Sequence, residues 1–242
     1  MQSLKTLLKQ LTFQAYQKLS PEGFPSGLSL AYDLKRILGD VPVNTIFDVG
    51  ANIGQTALYF NKHFPGADIY SFEPVKATFN TLKNTVGHLS NIECFPYALG
   101  AKNDTLPIYL ADNPNSTVNS LVASEGKSRT ELVEVQTLDY FSQAHNIDNI
   151  DILKTDTEGF DLEVLKGAMQ KLQDRKIKFV LSEATFYLRG HGLTQFSSLL
   201  DFLFPQGFRF YNMYETRYSG KRLAKGIMYT NALFVNAKLL SK

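Results

Sequence analysis

The chain has 242 residues, 44% of them hydrophobic and 20% charged, the composition of a globular, soluble, enzyme-sized domain with no low-complexity segment. Its 25 Lys and Arg against 23 Asp and Glu leave a formal charge of +2, which argues against a general nucleic-acid binder. One cysteine, Cys94, excludes an internal disulfide and a cysteine-rich metal site; with no stretch of membrane-spanning length and no signal-peptide pattern, a cytoplasmic protein is expected.

Leu4, Leu7, Leu8 and Leu11 recur at helical spacing around Lys5 and Lys9. They predict an opening amphipathic helix that packs over its own domain, its lysines permitting a weak membrane-surface or partner contact. After a Pro- and Gly-rich loop, a second helix is expected over about 28–38. Residues 1–40 thus read as an N-terminal helical extension and 41–242 as the main domain. The first strand, Thr45–Val49, runs into Asp48-Val49-Gly50-Ala51-Asn52-Ile53-Gly54, and a helix then continues to about His63. Such a turn lets backbone approach a ligand too closely for ordinary side chains. Asn52 stands where many such loops carry glycine, and Asn is the residue that best tolerates the same left-handed backbone. A dinucleotide fingerprint would instead read G-x-G-x-x-G, with its acid only at the second strand. The spacing favours S-adenosylmethionine.

Strand two, Asp68–Phe72, ends at Glu73, 19 positions after Gly54. An acid there is placed to accept a ribose hydroxyl, a geometry that NAD satisfies as well. A helix over about 76–86 follows. Residues 92–100 read as the third strand with a turn after it, and Thr105–Leu110 and Glu131–Val135 as short strands around a polar loop. Strand four, Ile150–Thr155, gives way at Asp156-Thr157-Glu158-Gly159 to one helix containing Leu162, Leu165 and Met169. Strand five, Phe179–Ser182, ends at Glu183. A helix over about 196–203 leads to strand six, Phe208–Tyr211, and Met228–Val235 closes the chain as its antiparallel partner. Alternating strands and helices predict an α/β three-layer sandwich around a mostly parallel sheet.

The segments Asp48 to Gly54, Phe72-Glu73-Pro74, Thr137-Leu138-Asp139 and Lys154-Thr155-Asp156-Thr157-Glu158-Gly159, with Leu162 to Ala168, together resemble the FkbM family of S-adenosylmethionine-dependent methyltransferases. The resemblance runs from about Thr45 to Val235. It implies a class I methyltransferase fold with seven strands, the last antiparallel, and O-methylation of sugar or specialised-metabolite hydroxyls. Thr155 and Thr157 depart from it, standing where the family more often has apolar residues. Asp48, Gly50, Asn52 and Gly54 are expected at the amino-acid end of the cofactor, Glu73 at its ribose and Ala98 near its adenine, because such sheets bind ligands beyond their carboxyl edge. Two other readings stand beside it: an NAD-dependent oxidoreductase, against which the early acid Asp48 argues, and a non-catalytic S-adenosylmethionine-binding module.

A sugar hydroxyl is a poor nucleophile at neutral pH, so a base or a metal is expected beside it. Asp156 and Glu183, at adjacent strand tips, are expected to flank the acceptor hydroxyl, with His191, in the loop beyond, as a third catalytic member. Glu158 reads as the start of its helix. Two acids could share a divalent cation, but two ligands do not make a metal site, and none is expected. Arg217, Lys221, Arg222 and Lys225 lie between the last two strands. They suggest capture of a phosphate or carboxylate on the acceptor.

Overall fold

The computed structural model describes residues 25–110, 119–122, 129–187, 192–218 and 226–240. The expected opening helix, His191, Lys221, Arg222 and Lys225 lie outside them. In chain order the described elements are helix α1 (Leu30–Leu38), strand β1 (Thr45–Val49), α2 (Gln55–His63), β2 (Asp68–Phe72), α3 (Lys76–Val86), β3 (Ile92–Phe95), β4 (Ala98–Leu99), β5 (Asp104–Leu110) and β6 (Arg129–Gln136). There follow α4 (Leu138–Ala144), β7 (Ile150–Thr155), α5 (Asp161–Lys166), α6 (Met169–Gln173), β8 (Ile177–Thr185), α7 (Phe196–Leu203), β9 (Phe208–Tyr218) and β10 (Ile227–Asn236).

Seven strands form one sheet in the order β3-β2-β1-β7-β8-β10-β9. The pairs from β3 through β8 are parallel, and β10 runs antiparallel to both neighbours. The expected seven-stranded, mostly parallel sheet with an antiparallel last strand is present. Period-two alternation divides the core between the two faces. Ile46, Ile152, Phe179 and Leu233 pack with residues of α1, α2 and α3, whereas Phe47, Leu153, Val180 and Phe234 pack with α4, α5 and α7. Strand order reverses between β1 and β7, and a crevice opens there at the carboxyl edge.

Several elements differ from expectation. The third strand is two strands in different sheets, β3 and β4, separated by Pro96, which has no N–H to offer a ladder. β4 joins β5 and β6 in a three-stranded sheet of its own, where short strands around a polar loop are expected from sequence. The single helix expected after β7 is two, α5 and α6, broken at Gly167, where a Cβ would sit 2.0 Å from the Gly100 carbonyl oxygen. Helix α4 was not expected. Its Thr137 N-cap accepts from the Tyr140 N–H, and its Leu138 and Phe141 are wholly buried. β8 and β9 both outrun their expected ends, so Glu183 lies within β8 rather than after it.

Candidate active site

The turn after β1 owes its shape to close backbone packing. Gly50 has φ 75°, and a Cβ there would lie 1.9 Å from the Asp156 carbonyl oxygen, so no larger residue fits. The N–H groups of Gly50 and Ala51 both donate to the Phe72 carbonyl, which ties the turn to the end of β2. Asn52 follows in the left-handed region at φ 51°, and its N–H donates to Glu73 Oε2 at 3.1 Å. Glu73 Oε1 accepts from the Val75 N–H at 3.0 Å. Burial pushes the Glu73 carboxyl up to about 7, against the pull of these two N–H groups. Gly50, Asn52, Glu73 and Ala98 line a cleft of about 670 Å³, open at its mouth, together with Phe72, Leu99, Asp156 and Glu158. Asp48 and Gly54 lie behind that surface: Asp48 is wholly buried, and Gly54 packs against Leu82 and Val86 of α3.

Lys154 is what the sequence reading missed. A lone lysine directly after the apolar pair Ile152-Leu153 of a central strand is the signal for it. Its Nζ lies 3.1 Å from Asp48 Oδ1 and 3.6 Å from Asp156 Oδ2, and donates to the Gly50 carbonyl at 3.0 Å. Burial alone would lower the lysine, but Asp48 and Asp156 outweigh it and hold the ammonium protonated above its ordinary range. Burial raises Asp48 while Lys154 pulls it back. With three oxygens around one ammonium, the ion-pair form is the one the geometry supports.

Asp156 lies at the end of β7 between two spaces. It lines the first cleft and also a second, of about 1380 Å³ and likewise open to solvent, walled by residues of α1, α2, β9 and β10. One carboxylate oxygen each from Asp156, Glu158 and Glu183 lie within 4.8 Å of one another. Three acids therefore meet where the sequence had suggested two, and such a set could hold a hydrated divalent cation. Burial, then the charges of Asp156 and Glu158, push Glu183 up to about 9. Asp161, also wholly buried, supports this loop from below by accepting from the Thr194 hydroxyl and the Thr157 N–H. Burial, and next Asp156, raise it to about 6. His191 lies outside the described residues.

An open α/β sheet with a tight glycine turn after β1, an acid after β2 and acids at β7 and β8 is the Rossmann-like architecture of the class I type. Residues 48–210 match the Methyltransferase FkbM domain, about two thirds of the chain, and the protein belongs to that family. It is 32% identical over 162 residues, 54% of this chain and 62% of the relative, to Methyltransferase sdnD of Sordaria araneosa. To 2-O-methyltransferase NoeI of Sinorhizobium fredii it is 22% identical, covering 69% of this chain and 76% of that protein. To Hexuronic acid methyltransferase AglP of Haloferax volcanii it is 26% identical, covering 58% and 55%. The chain thus spans less than two thirds of the length of two of these three curated relatives.

Proposed function

We propose that the protein is an S-adenosylmethionine-dependent O-methyltransferase acting on a hydroxyl of a sugar, glycan or specialised metabolite. The observation that carries this reading is that two clefts, one of each kind the reaction needs, meet at Asp156 on the carboxyl edge. The first cleft suits the cofactor: it offers backbone where a Cβ would collide, and a buried carboxylate for ribose hydroxyls. Bound there, S-adenosylmethionine supplies a methyl group on a sulfonium, an electrophile that needs little beyond alignment. Lys154 fixes the Gly50 carbonyl and with it the turn. Asp156 orients the acceptor hydroxyl at the junction, and Glu183 accepts its proton. Because Glu183 holds a proton at neutral pH, its basic form is reached on the alkaline side. The likeness to the 2-O-methyltransferase NoeI supports the choice of oxygen as acceptor atom.

Calorimetry with S-adenosylmethionine, S-adenosylhomocysteine and NAD tests the first cleft. Micromolar binding of the first two and none of the third is expected, and the reverse order would sink the reading. Transfer of label from methyl-labelled S-adenosylmethionine to a glycan panel tests catalysis. A chain that binds the cofactor but labels nothing would be a binding module.

A further inference from the structure

The wall of the second cleft carries hydrogen-bond acceptors in excess of cations. Asn231 of β10 stands directly across from Glu183 of β8 in the antiparallel ladder, so both side chains share one face. The Asn231 amide nitrogen donates to Glu215 Oε2 at 3.2 Å, which fixes the amide's orientation because a carboxylate only accepts. Its Oδ1 is then left buried with no hydrogen-bond partner among the described residues, and so is Glu183 Oε2. At the alkaline pH where Glu183 is ionised, these are two buried neighbouring acceptors without donors among the described residues, which is uncommon and calls for a partner.

Backbone irregularity brings Glu215 to this wall. Between the pairs Tyr229–Arg217 and Asn231–Tyr214, one residue of β10 faces two of β9, Glu215 and Thr216. At this bulge Glu215 has φ 53°, a left-handed conformation that a glutamate adopts only where its surroundings impose it. Glu215, Asp156 and Asn231 thus face the second cleft together. Among its described lining residues the one cation is Lys154, already committed to Asp48, Asp156 and the Gly50 carbonyl. The acidic acceptor suggested by the basic stretch depends mostly on residues outside the described ones.

Building on the methyltransferase reading, we infer that the second cleft takes a neutral acceptor that presents adjacent hydroxyl donors, as a sugar ring does, to Asn231 and Glu183, and that Glu215 with Asp156 turns carboxylates and phosphates away. Hydroxyls would donate to the two orphaned oxygens, whereas an anion would meet like charge with no spare cation among the described lining residues.

The test uses the full chain saturated with S-adenosylhomocysteine. Failure of that first titration would reject the methyltransferase reading itself, separately from the acceptor class. Methyl glucoside, galactoside and fucoside are then compared by saturation-transfer NMR and calorimetry with methyl glucuronide and galacturonide. At least one neutral glycoside should bind at least about tenfold more tightly than either uronate, the scale of a deliberate charge exclusion. Glu215→Gln, an exposed position, should narrow that ratio, and Asn231→Leu should weaken the neutral ligand about tenfold with S-adenosylhomocysteine binding intact. Uronates binding as well as neutral glycosides, or no neutral glycoside binding at all, would overturn the inference. So would an Asn231→Leu protein of unchanged affinity, or glycoside binding that vanishes with chelator and returns with magnesium, since the orphaned oxygens would then serve a cation.

Discussion

At the scale of the residue, buried charge sets the chemistry. Lys154→Met would leave Asp48 buried without its counter-charge, and a loss of about 3–5 kcal/mol is expected in denaturant unfolding. Adding Asp48→Asn should recover most of that loss, and a double variant no better than the single would show that the pair is not the cause. Glu73 gives a second expectation. If ribose hydroxyls donate to it, cofactor binding favours the ionised carboxylate and should release a proton near pH 7. Titrations in buffers of different ionisation enthalpy should register that release, and Glu73→Gln should abolish it while weakening binding by about 1.5–3 kcal/mol. For Glu183 the acceptor kcat/KM should climb from neutrality toward pH 9. Glu183→Gln should flatten that limb and lower turnover by about 10²–10⁴-fold; a variant that keeps the limb would assign it to another group.

Among elements, one buried polar contact ties α1 to the edge strand of the sheet, beside its apolar packing. The Tyr214 hydroxyl of β9 donates to Asp33 at 2.7 Å, and the Gly27 N–H donates to the same oxygen. Tyr214→Phe should cost about 1.5–3 kcal/mol, as for hydrogen bonds to charged groups, and speed amide exchange in α1 before the rest of the chain. Uniform acceleration would mean that α1 is not a separable unit. The same elements show what sequence can and cannot disclose. β1 and β2 with their following helices, and β7, were legible because apolar runs end at glycine or an acid, local signals that survive without tertiary context. The turn at Gly50 and the acid at Glu73 were legible for the same reason. Helix α4 carried its signal, Thr137 followed by Leu138 and Phe141 at helical spacing, but seven residues are too few for periodicity to assert itself. The pairing of Lys154 with Asp48, and of Asn231 with Glu183, follows from which strands lie side by side, and that order is written in no single segment.

For the whole molecule, raised acids tie stability to pH. Asp161, Glu73 and Glu183 are lifted to about 6, 7 and 9. Each holds in the native state a proton that the unfolded chain has already lost, so its contribution is full below the ordinary carboxyl range and is lost as pH rises through the raised value. Tm of the ligand-free protein should therefore fall from about pH 5 to pH 9, and more shallowly in Glu183→Gln. A flat or rising profile would mean that these carboxyls are ionised in the fold.

The irregular pairing of β9 with β10 has a consequence for chain length. The extra residue that β9 takes up at Glu215 and Thr216 is answered two positions on, where β10 takes up Met228 between Ile227 and Tyr229. The two insertions cancel, so the hairpin resumes the frame it had before them. Deleting Thr216 should set Glu215 opposite Thr230, withdraw it from the cleft and leave Arg217 opposite Tyr229, and deleting Met228 as well should make this stretch of the ladder regular as far as Ile227. Spliced in matched pairs, residues could be removed from or added to this segment without disturbing the strands that carry it. The wall of the second cleft is thereby open to change by length as well as by substitution.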